Sequence, residues 1–117
     1  MINIESITHN CGGDPVLVAE LAQLFLEECP SYILLLDQAM SERSSEAVGF
    51  AAHRLRGSLA LFDLKPALEA ATRLEAMSAN KQFAVTPEAV AALKVELMQA
   101  ESDIRSLPSL GLKTIVF

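Results

Sequence analysis

Tryptophan is absent from this 117-residue chain, tyrosine occurs once, and aromatic residues together make up 5%. That scarcity argues against a β-sandwich, whose strands draw on aromatic and β-branched side chains, and favours helices packed through Ala and Leu. Cysteine is scarce too. Cys11 and Cys29 show neither CxxC nor Cys/His metal spacing, which argues against a zinc site or a disulfide framework and fits a reducing compartment. No apolar run approaches the roughly 20 residues of a membrane span. The opening MINIESITHN lacks the charged and apolar regions of a signal peptide. A soluble, cytoplasmic protein without membrane insertion is expected.

Positive charge is the other shortage: 9 Lys and Arg stand against 15 Asp and Glu, for a formal net charge of −6. No basic cluster extends beyond the pair Arg54 and Arg56. Such a chain repels phosphate backbones, so no nucleic-acid partner is expected. Nor is there a glycine-rich loop of nucleotide-binding spacing, so ATP is not expected as a direct substrate.

What is present is 51% hydrophobic residues divided by clear helix punctuation. Asp14 with Pro15, Ser44 or Ser45 with Glu46, Pro66, and Thr86 with Pro87 each mark a helix start through side-chain capping or a preset first φ. The spacing predicts an all-α, antiparallel up-down bundle of four helices, with a short extra helix at the N-terminus. Pro30 is expected to kink or divide the first long helix. Val16, Leu17, Leu21, Leu24, Phe25 and Leu26 form its expected apolar stripe. Met40, Met77 and Met98 are expected core fillers. Residues 1–107 are read as the folded domain and 108–117 as an extended or disordered tail. His9 is placed in a loop.

One helix carries an unusual surface. In AAHRLRGSLALF, Ala51 to Phe62, setting His53 at zero on a helical wheel places Val48, Ala51, Leu55, Leu59 and Phe62 between about 140° and 240°. They are the core stripe, and His53 points to solvent. Gly49, Gly57 and Ala60 lie within about 40° of the ring; Arg56 flanks it on one side, Phe50 and Leu61 on the other. Each glycine weakens a helix by up to about 1 kcal/mol relative to alanine. Geometry leaves two readings open: an ordinary surface histidine with glycines that serve close packing, or a nucleophile that takes a phosphoryl group beside an Arg able to neutralise its oxygens. No Asp or Glu lies one helical turn from His53 to orient it.

The segment AHRLRGS, Ala52 to Ser58, resembles the His-x-Leu-Lys-Gly-Ser motif of histidine-containing phosphotransfer domains. Asp14 followed by FLEECP, Phe25 to Pro30, and the pair Leu74 and Glu75 placed 21 and 22 positions after His53 resemble the family as well. The resemblance covers roughly Asp14 to Ser102. It implies that His53 takes a phosphoryl group from the aspartate of one response-regulator receiver domain and hands it to another, with a hybrid sensor histidine kinase upstream. It further implies that Arg56, standing where the family has Lys, stabilises the phosphoryl charge, and that Gly57 leaves room for the receiver. Gly49, Phe50, Gly57, Ala60 and Leu61 then form the docking surface. A monomeric phosphocarrier is expected, not an enzyme with its own ATP site. It needs no cofactor, the Mg²⁺ belonging to the receiver. The alternative is a helical adaptor that docks a receiver or kinase without being phosphorylated. Where the family has Gly-Ala, ten residues after the histidine, this chain has Asp63 and Leu64, and Asp63 is expected to cap the next helix.

Overall fold

Helix punctuation is obeyed almost residue for residue in the computed structural model, which describes residues 4–80 and 82–107. The described helices are α1 (Ile4–Asn10), α2 (Pro15–Ser41), α3 (Ser45–Leu61), α4 (Lys65–Ser78) and α5 (Pro87–Arg105). The side chains of Asp14, Ser44 and Thr86 accept N–H bonds at the starts of α2, α3 and α5, satisfying donors that the first helical turn leaves unpaired. Short connections make successive helices antiparallel. α3 packs on α2 and α4, and α5 closes the bundle against α4 and α2, while α1 rests on α2. Among the described residues the buried core is mostly aliphatic, with Cys11, Cys29 and two aromatic rings, Phe25 and Phe62, which meet edge to face at 5.9 Å. The expected tail over 108–117 lies outside the described residues.

Four expectations are corrected or narrowed. Of the two outcomes expected at Pro30, division does not occur: α2 is one helix through the proline. The proline removes one helical hydrogen bond, but its ring is on the exposed side. Phe25 and Cys29 before it, and Leu36 and Ala39 after it, stay buried and hold the helix together. Val16, Leu17 and Leu24 are exposed rather than core. The buried stripe of α2 runs instead through Val18, Ala22, Phe25, Cys29 and Leu36, and Val16, Leu17 and Leu24 fall roughly 100° or more away from it around the helix. Met98 is 64% exposed, because the inward positions of α5 are taken by Leu93, Leu97, Ala100 and Ile104 at helical spacing; Met40 and Met77 do pack against the core. His9 is exposed in the last turn of α1, not in a loop.

Asp63 does not cap α4 either. The residue at that cap is Leu64, without a side-chain hydrogen bond. Asp63 instead terminates α3 in the left-handed conformation, with φ of 54°. Its N–H donates to the Ala60 carbonyl at 3.1 Å, and the Leu64 N–H to the Leu59 carbonyl at 2.9 Å. This is the paired bonding that favours glycine at the left-handed position. Asp tolerates that conformation better than most residues but not freely. Asp63→Gly is therefore expected to stabilise the protein by about 0.5–1 kcal/mol, raising the midpoint of thermal unfolding by roughly 2–5 °C. Calorimetry showing an unchanged or lower midpoint would contradict the strain assigned to Asp63.

Candidate functional site

Leu55, Leu59 and Val48 anchor the inner face of α3 in the core, which fixes the direction of the opposite face. His53 stands there with its side chain 70% exposed. Gly57, one turn on, has open space where a Cβ would be, and Ala60 is exposed. Phe50 is 56% exposed and lies under the Arg54 guanidinium, 5.7 Å from its ring centroid. Leu61 is only half exposed and packs against the core, while its carbonyl accepts a bond from the Asn10 amide at 3.0 Å.

Gly49 has a different task from Gly57. A Cβ built on it would come within 2.5 Å of Ser78 Oγ on α4, and that hydroxyl already donates to the Glu75 carbonyl at 2.6 Å. The missing side chain lets α3 and α4 approach closely one turn from His53.

That close approach brings in a residue that the α3 sequence could not supply. Glu75 reaches across from α4 and accepts from His53 Nδ1 through Oε2 at 2.9 Å and from Arg56 Nη1 through Oε1 at 2.5 Å. Its carboxyl is held below the ordinary carboxylate range, chiefly by the Arg56 hydrogen bond and secondarily by His53, with burial opposing. An ionised carboxylate only accepts. The neutral ring therefore carries its proton on Nδ1 and leaves the Nε2 lone pair unused. The neighbourhood of His53 holds no Asp or Glu within a turn of sequence; the only sequence sign of Glu75 was its place in the Leu-Glu pair.

A depressed Glu75 pKa means that the bridge contributes stability above the unfolded carboxyl value, about 4.3, and loses it as pH falls through the folded value. Glu75→Gln is accordingly expected to melt below wild type at pH 7. The two melting curves should converge as the pH is lowered past about 4. Thermal unfolding followed by circular dichroism between pH 7 and 3 reads this directly, and a gap that persists in acid contradicts it.

His53 lies on an open helix face, outside the cavity of about 660 Å³ near Asp37, Arg43, Phe83 and Lys94. Cys11 and Cys29 are buried free thiols. Burial raises the pKa of both, that of Cys29 to about 12, so neither is poised as a nucleophile. Among the described residues no group of three or more His, Cys, Asp or Glu could hold a metal ion, and no helix is long and apolar enough to cross a membrane.

An all-α bundle with an exposed imidazole oriented from a neighbouring helix has the architecture of a phosphocarrier module. The family model of the Hpt domain matches residues 20–103, and the chain belongs to that family. Its role is in two-component phosphorelay signalling, in which Hpt domains interact with receiver and kinase domains as carriers rather than as catalytic enzymes. No curated protein and no solved structure matches the chain.

Proposed function

We propose that His53 carries the phosphoryl group, receiving it from the phosphoaspartate of one receiver domain and passing it to the aspartate of another. The observation behind this reading is the hydrogen bond between His53 Nδ1 and Glu75. It commits one ring nitrogen and turns the other into the nucleophile. In the forward step the Nε2 lone pair attacks phosphorus, the N–P bond forms, and the P–O bond to the donor aspartate breaks with its electron pair staying on that carboxylate. The imidazole, now substituted at Nε2 and still protonated at Nδ1, is cationic, and the Glu75 carboxylate offsets that charge. In the second step the acceptor aspartate attacks phosphorus and the N–P pair returns to Nε2. The receiver supplies Mg²⁺ and the surrounding pocket, since His53 is on open surface.

Gly57 and Ala60 let the rim of that pocket reach the ring, and Phe50 with the exposed part of Leu61 adds apolar contact at one flank. The carrier works as a monomer in the cytoplasm, where its partners would be reached by diffusion. Incubation with a phosphorylated cognate receiver tests the proposal. Label that moves to this chain, labile to acid and stable to alkali, is expected. No transfer from a competent donor would leave only the docking adaptor.

A further inference from the structure

We propose that the cavity between the end of α2 and the start of α5 binds a small amphipathic monoanion, an apolar body carrying one carboxylate that Arg43 receives. The proposal is independent of the phosphocarrier reading, since the cavity lies away from the His53 face. Its volume, about 660 Å³, is that of a small-molecule site. Met40, Phe83, Val85 and Val90 line it; Val85 and Val90 are buried, and Met40 and Phe83 pack against the core. Such a floor disfavours a wholly polar ligand, whose groups would lose water without gaining a partner.

Three charged side chains, those of Asp37, Arg43 and Lys94, stand around this floor. Lys94 donates to Asp37 at 2.8 Å, so those two charges cancel. Arg43 is left over. Its guanidinium lies 4.7 Å from the centroid of the Phe83 ring, and among the described residues no carboxylate pairs with it. On a chain of formal net charge −6, an unpaired cation thus borders an apolar cavity, and a guanidinium takes a carboxylate through two parallel N–H bonds. The backbone adds a second sign. Arg43 has φ of 52°, with its N–H donating to the Met40 carbonyl at 3.2 Å and the Ser44 N–H to the Ala39 carbonyl at 2.9 Å. This is the bonding found at Asp63, in which glycine is unstrained. An arginine strains the turn, and what the strained residue contributes is a cation at the rim of the cavity.

Titration of the ¹⁵N-labelled full chain with decanoate, kept below micelle formation and followed by amide shifts, tests this, with decanol and decyltrimethylammonium as the neutral and cationic counterparts. Decanoate is expected to shift Ser41, Ala84, Val85 and Ala91, which line the cavity, and to saturate. Decanol should bind about tenfold more weakly, and decyltrimethylammonium should not bind. Arg43→Met should bring decanoate down to the level of decanol. Arg43→Gly should do the same while melting no lower than wild type, which separates loss of binding from loss of fold. Ala91→Trp, which fills the cavity from an exposed position, should abolish binding of both. Equal binding of decanoate and decanol to wild type would mark an apolar groove suited to another chain and overturns the proposal. So does a preference for decanoate that survives in Arg43→Met, a set of shifts scattered over the surface without saturation, or no shift at all.

Discussion

His53→Gln is expected to take up no acid-labile label from a phosphorylated receiver while its fold and melting temperature stay close to wild type. Glutamine keeps polarity and approximate reach, but its amide nitrogen has no available lone pair with which to displace an acyl phosphate. The carrier step has no second route, because the other histidine, His9, sits in α1 without the Glu75 contact. The stability effect is small because the His53 side chain is 70% exposed and loses only a surface bridge, a change usually within about 0.5 kcal/mol. Wild-type labelling with phosphate retained in the variant would sink the assignment of His53 and send the search to other side chains.

Phe62→Ala should have the opposite profile. Phe62 is 1% exposed, and its ring meets Phe25 edge to face at 5.9 Å, at the end of α3 where the chain turns into α4. Removing it leaves a cavity beneath that turn and is expected to cost about 3–5 kcal/mol, a large part of the roughly 5–15 kcal/mol that holds a domain of this size folded. The melting temperature should fall by about 10–20 °C, while at low temperature the folded fraction still labels at His53. A drop of only a degree or two would mean that the site relaxes to fill the space, and that the α3 end is less tightly packed than its burial indicates. Together the two variants separate the chemistry on the outer face of α3 from the packing on its inner face.

The sequence by itself determined the helices, the helix that bears the candidate site and the direction in which His53 points. Those features rest on local rules: Asp14, Ser44 and Thr86 cap within their own first turns, and the spacing of Val48, Leu55, Leu59 and Phe62 needs no knowledge of what covers them. The motif around His53 pointed to the family in the same local way. Reading along the chain failed where neighbours on other helices compete or are missing. Met98 lost its inward position to Leu97, and Val16, Leu17 and Leu24 lost theirs to Val18, Ala22 and Phe25, which hold the buried stripe of the same turns. Asp63, expected to begin α4, ends α3 instead, since that choice depends on which carbonyls its neighbours' N–H groups reach.

The site divides in the same way. His53 and Arg56 share a helix face by periodicity alone, as do Gly57 and Ala60. Only the tertiary structure decided that Gly49 is spent on bringing α4 near, and that Glu75, 22 residues beyond His53, supplies the carboxylate that α3 does not place within a turn of the ring. A hydrogen bond between two helices depends on their separation and rotation to within about an ångström. That placement is set by the whole core, and no spacing within one helix records it.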